Sequence, residues 1–239
     1  MQRKLNGKQL DILKTVLRFR YVTTDNLAST RNITHNSAYS TLEILNKSGY
    51  LGKLHDKSYR LQNKSARYFL TLQGMEYLRD IADIEQPDAI WNSRKKDGNR
   101  SADFIDQQVA IHATYNTLYT LFDKTVQIQT ALELYDTEGI IKPLPGLLVT
   151  PKKSNHFFVE LTDGQHLFLA RKRIRKYIRN YDDRDWEWEQ YPDVYIVRTI
   201  SANDRTRLRK YAEARMEDAY LDEEDFRFMI MKDLHTLTI

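Results

Sequence analysis

Leu10, Leu13, Val16 and Leu17 recur at helical spacing while Lys14 and Arg18 face elsewhere, which predicts a first helix over about residues 7–19. After Tyr21-Val22-Thr23, the segment Thr24-Asp25-Asn26-Leu27-Ala28 reads as a capped helix of about two turns. Thr34-His35-Asn36 offers a fresh cap for a third helix, with Ala38, Leu42 and Leu45 as its apolar set and Ile44 on the flank. That helix should stop near Ser48-Gly49, where glycine supplies a left-handed exit. Residues 50–54 and 68–72 read as paired strands around a polar stretch holding His55, Lys57, Arg60, Lys64 and Arg67. A further helix begins at Gln73-Gly74-Met75.

Helix, short helix, helix and basic hairpin is the order of a winged helix-turn-helix, in which the third helix enters the major groove and backbone contacts hold its register. With Ala38, Leu42 and Leu45 inward, the third helix presents His35, Asn36, Ser37, Tyr39, Ser40, Glu43 and Lys47. Asn and Ser suit base edges or phosphate, and Lys47 suits phosphate. Lys53, His55, Lys57, Arg60 and Lys64 of the hairpin are the accompanying candidates for DNA contact. No Arg projects from the third helix, so the commonest guanine contact is missing. The pattern therefore predicts binding without the contact that most often specifies guanine.

Residues 84–101 turn polar, with Pro87, Asn92, Gly98 and the run Arg94-Lys95-Lys96, and read as a linker or exposed loop. They separate a DNA-binding domain over 1–83 from a second domain over 102–239. The second domain starts with a long helix over about 102–124. Strand-like runs follow at 126–130, 147–150, 157–161 and 194–197, with helices over about 167–182 and 203–220 interleaved. That order predicts an α/β core with a mixed sheet covered on both faces, so the whole chain is α+β to α/β in class.

Charge sharpens the picture. Of 239 residues, 37 are Lys or Arg and 33 are Asp or Glu, yet residues 1–70 hold 13 basic and 4 acidic residues, a net +9, against −5 for the rest. A basic segment on a slightly acidic remainder points to a polyanion, and the geometry favours duplex DNA, because A-form RNA closes its major groove to side chains. No apolar run is long enough to span a bilayer and the start lacks a secretory signal, so the reading is cytoplasmic with no membrane partner. Zero cysteines exclude disulfides, thiolate zinc sites and cysteine nucleophiles. Eight Gly and five Pro leave little room for a Gly-rich phosphate loop.

Several stretches carry a family resemblance: residues 21–27, His112-Ala113-Thr114-Tyr115-Asn116, Leu147-Leu148-Val149, Phe157-Phe158-Val159-Glu160-Leu161 and the basic helix ending in Tyr177. In their order and spacing the chain resembles the replication-relaxation family of plasmid and mobile-element proteins, and more loosely the plasmid mobilisation relaxases. The resemblance implies a winged helix joined to a restriction-endonuclease-like domain. It also implies a role in mobilisation and transfer, replication or transcription control, with a relaxase or replication protein as partner and a homodimer as a possible assembly.

A nuclease of that fold needs clustered carboxylates for a divalent metal and a nearby Lys. The first family slot falls in Leu144-Pro145-Gly146-Leu147-Leu148, which has no carboxylate. The second keeps Glu160 but places Thr162 where the Lys would stand. Glu133, Asp136 and Asp163 are the substitutes for the missing acid, and Lys152 or Lys172 for the missing base. The expectation is a nuclease-like scaffold without nuclease chemistry and without a cofactor. A metal-dependent nicking endonuclease, with Mg or Mn at Glu160, is the alternative, and a protein–protein adaptor the third reading. His156 and His166 are ten residues apart, and His112 on an apolar helix reads as a core histidine. Arg171, Arg175 and Arg179 are spaced four apart, with Ile174 and Ile178 toward the sheet, so Arg171 and Arg175 join the DNA-contact candidates. The competing reading pairs that helix with Asp182, Asp183, Asp185, Glu187 and Glu189.

Overall fold

The first helix, α1 (Gly7–Phe19), opens on a reciprocal cap: the Asn6 side chain accepts from the Gln9 amide while the Gln9 side chain accepts from the Asn6 amide. Thr23 caps α2 (Thr24–Arg31) and Thr34 caps α3 (His35–Lys47), each through its hydroxyl. Ile12, Leu13, Val16 and Leu17 of α1 and Ala38, Leu42 and Leu45 of α3 are buried. The chain leaves α3 through Gly49 at φ +82°, a conformation that side chains with a Cβ rarely adopt. β1 (Leu51–Leu54) then pairs antiparallel with β2 (Arg67–Leu70), Leu51 opposite Leu70. The basic stretch between them contains a short helix, α4 (Lys57–Leu61), capped by Asp56. Thr71 does not continue the strand, because its hydroxyl donates to the Gly49 carbonyl and accepts from the Gly74 amide. It thereby starts α5 (Leu72–Glu76), which runs on through a π-helical turn at Tyr77–Ile81.

The computed structural model describes residues 4–234, and these divide between Asn116 and Thr117 into two compact units. The stretch expected to be a linker, 84–101, belongs to the first of them. It forms α6 (Asp88–Arg94) and a 3-10 turn at Asp97–Asn99, and it buries Ile90, Trp91, Arg94 and Asp97. The cause is a polar lock that composition does not reveal. The Arg20 guanidinium donates to Asp97 Oδ1 at 2.8 and 2.5 Å, the Tyr21 hydroxyl to the Asp97 carbonyl at 2.6 Å, and Arg94 to the Leu17 carbonyl at 3.0 Å. Burial, with the Arg20 charge second, lowers the Arg94 guanidinium to about 10.

The division also falls inside α7 (Ala102–Leu121), not ahead of it as expected from a second domain starting at 102. Its first half is fastened to the N-terminal unit by Lys64–Asp106 at 2.6 Å and by the stacking of His112 on Phe19.

The second unit is built on β3 (Gln127–Thr130), β4 (Leu147–Thr150), β5 (Phe157–Leu161), β6 (Asp193–Val197) and β7 (Phe228–Met231), hydrogen-bonded in that order. The β3–β4 and β4–β5 pairs are antiparallel and the β5–β6 and β6–β7 pairs parallel. The sheet is therefore mixed and the protein α+β. β7 was not expected from the sequence. It fixes α9 (Ala202–Asp218) as a crossover, just as α8 (Leu167–Asp183) crosses from β5 to β6. Leu148, Phe158, Val194, Ile196 and Ile230 on one sheet face pack with Ala170, Ile174, Tyr177 and Tyr181 of α8 and Leu208, Ala212 and Met216 of α9. On the other face Phe157 stacks on Tyr195 at 4.4 Å and approaches Phe122, just beyond α7. Among the described residues no helix is long and apolar enough to cross a membrane.

Candidate nucleic-acid interface

Because Ala38, Leu42 and Leu45 are buried, the 3.6-residue period turns His35, Asn36, Ser37, Tyr39, Ser40 and Lys47 outward, and all six are exposed. Tyr39 and Ile44 are the large apolar groups on that side, at 47% and 42% exposure. His35 stands 3.4 Å from Asp25, both well exposed. Glu43 behaves differently from its neighbours. It turns toward the hairpin, accepting from Lys53 and from the Tyr68 hydroxyl, each at 2.6 Å. Those two hydrogen bonds, Lys53 first, hold its carboxyl below the usual range. The contact ties α3 to the β1–β2 pair and takes a carboxylate off the outward side.

The same contact engages Lys53, and Asp106 engages both Lys64 and Arg67. The cations of α3 and the hairpin that lack a carboxylate partner among the described residues are thus Lys47, Lys57 and Arg60, all exposed. His55 is exposed beside the edge of Tyr59. Lys53 and Lys64 differ from the expectation because tertiary structure delivers an acid to each, which spacing along the chain does not report.

Between α2 and α7 lies a polar cluster that the sequence pattern did not reveal. The Thr30 hydroxyl sits 2.7 Å from His112 Nε2, 2.8 Å from the Asn116 side-chain oxygen and 2.8 Å from the Asn26 carbonyl. Asn116 donates back to that carbonyl and the Asn26 side chain to the Val109 carbonyl. Two of the family-like stretches, 21–27 and 112–116, therefore meet here. The available signal was polar residues at i, i+4 on two helices, Asn26 with Thr30 and His112 with Asn116. His112 is fully buried, and burial, with the Arg18 charge second, drops its pKa to about 3.

In the second unit the carboxylates considered for a metal are engaged separately. Glu160 lies on the sheet face under α8, accepting from Arg173 Nε at 2.7 Å and from the Tyr177 hydroxyl. Asp163 accepts from the Thr199 amide and hydroxyl at 2.8 and 2.7 Å. Glu133 accepts from the Thr130 amide and hydroxyl, and Lys172 is exposed. Among the described residues no three His, Asp or Glu converge in a metal-binding group. Glu160 thus anchors a guanidinium and a phenol. Arg171 also departs from its expected place, since its guanidinium lies 5.1 Å over Tyr211 of α9, whereas Arg175 is exposed.

No protein-family model matches the chain, and no curated protein matches it. Among solved structures, the chain described as "Structure of Disulfide formed AbfR" aligns with 14% identity, covering 50% of this chain and 73% of that one at a TM-score of 0.28. That superposition is too loose to bear on fold or function.

Proposed function

We propose that the protein is a double-stranded DNA-binding accessory or regulatory factor of a plasmid or other mobile element, acting in transfer, replication or transcription control. In this reading α1, α2, α3 and the β1–β2 hairpin form a winged helix-turn-helix. α3 enters the major groove and Lys47, Lys57 and Arg60 contact phosphates. The observation that carries it is the outward side of α3, which exposes His35, Asn36, Ser37, Ser40 and Lys47 around Tyr39 and is relieved of its one carboxylate by Lys53. The net +9 of residues 1–70 supports it. So does the resemblance to the replication-relaxation family, under which the second unit is a restriction-endonuclease-like scaffold serving as a dimer or partner surface. With Glu160 committed to Arg173, the metal-dependent nicking reading gains nothing.

Gel shifts at fixed salt, comparing duplexes from a mobile-element origin or promoter with random duplex, test the reading. Tighter binding to the origin or promoter set is the expected outcome. Absence of duplex binding even at low salt would leave the protein-adaptor reading in its place.

A further inference from the structure

The outward side of α8 carries charge that the helix does not use for its own stability. Phe168, Lys172, Arg175 and Arg179 stand at i, i+4, i+7 and i+11, which is one stripe of a helix, and all four are exposed, Phe168 at 64%. The core side is the buried set Ala170, Ile174, Tyr177, Ile178 and Tyr181. The remaining cations of α8 are engaged: Arg173 with Glu160, Arg171 over Tyr211, and Lys176 with the Lys142 carbonyl at 3.0 Å.

Lys172, Arg175 and Arg179 have no ion-pair partner among the described residues, although Asp182, Asp183 and Asp185 follow directly. The competing reading, which pairs these cations with that acidic segment, finds no such ion pair among the described residues. The helix dipole, which acts on charges in the first and last turns, does not account for this mid-helix row either. α8 has no acid in its first turn and no base in its last, and its last turn holds Asp182 and Asp183. Neighbouring like charges at i, i+3 and i, i+4 repel as well. A row so placed is stabilised by an anion from outside.

Phe168 narrows what that anion is. A phenyl ring standing in solvent at the head of a cation row matches the two parts of a single-strand site: charges that follow a phosphate backbone and a face on which a base stacks. In a duplex the bases are already stacked on one another. We propose that the Phe168–Lys172–Arg175–Arg179 stripe binds single-stranded nucleic acid, with the cations on successive phosphates and Phe168 against a base. The proposal does not depend on the reading of α3, which lies in the other compact unit.

The test is fluorescence anisotropy of the full chain with a labelled oligothymidylate of about 20 nucleotides, long enough for a site of this kind. The wild type should bind, and Phe168→Ala should weaken binding by about 5- to 150-fold, the range for one stacked base. The triple variant Lys172→Glu, Arg175→Glu, Arg179→Glu should lose binding. Replacing the three with Ala should lower the slope of log K against log salt by about 2. All three positions are exposed, so matching circular dichroism and melting curves secure the comparison. Lys47→Ala with Arg60→Ala should leave oligothymidylate binding intact, which separates a failure here from a failure of the α3 reading. The proposal is overturned if the wild type does not bind, if the triple variant binds as well as wild type, or if Phe168→Ala changes nothing. Charge-dependent capture of anionic vesicles without oligothymidylate binding would overturn it too.

Discussion

His112 is the residue whose environment makes the sharpest quantitative demand. Its ring stacks 3.8 Å from Phe19, nearly parallel, and its Nε2 meets the Thr30 hydroxyl, so the neutral imidazole is packed and the charged form has nowhere to be solvated. Burial holds its folded pKa at about 3, below the roughly 6.5 of an unfolded chain. Between those values the unfolded state takes up a proton that the folded state refuses. The stability due to His112 is therefore complete above about pH 6.5 and drains as pH falls toward 3, by about 2 kcal/mol at pH 5. Urea unfolding at pH 7 and pH 5 should show a pH-dependent loss larger in wild type than in His112→Gln by about that amount. Equal losses in the two proteins would contradict the assignment.

At the scale of elements, the outward side of α3 and its hairpin divide cations that are available from cations that are not. Lys47→Ala and Arg60→Ala should each weaken duplex binding and reduce the salt slope by about 0.9, one phosphate contact apiece. Lys64→Ala should leave the slope nearly unchanged, because Lys64 already faces Asp106, which keeps Arg67 as a second partner in the variant. A slope that moved equally in all three would mean that exposure and pairing do not decide which cations meet DNA.

These elements also show what the sequence could convey. α3 was legible because a capping Thr34, a period of 3.6 and a terminal Gly49 agree on one helix, and its outward residues followed from that. α8 was legible for the same reason. β7 was not, since Phe228–Met231 is a short apolar run whose strand character comes from pairing with β6. α6 was hidden because Asp97 and Arg94 look like surface polar residues until Arg20, Tyr21 and Leu17 fold around them. The pairing of Lys53 and Lys64 and the contacts that join α2 to α7 around Thr30 are likewise tertiary facts, made by residues 10 to 90 positions apart.

At the scale of the molecule, the N-terminal unit extends further than its first 83 residues. Asp97, Asp106 and His112 each complete a contact with earlier residues, so cutting before them leaves Arg20 without its carboxylate and Phe19 without its stacking partner. A fragment of residues 1–121 should unfold cooperatively in urea, whereas a fragment of residues 1–83 should not. Cooperative unfolding of the shorter fragment would show that the contacts of α6 and α7 are dispensable.

The absence of cysteine gives a direct way to test the central claim, that α3 presents its polar side to a duplex. A single cysteine placed at Ser40 and carrying a photocrosslinker should join to duplex DNA, while the same probe at exposed Arg79, outside α3 and the hairpin, should not. Crosslinking from Arg79 with none from Ser40 would contradict the account.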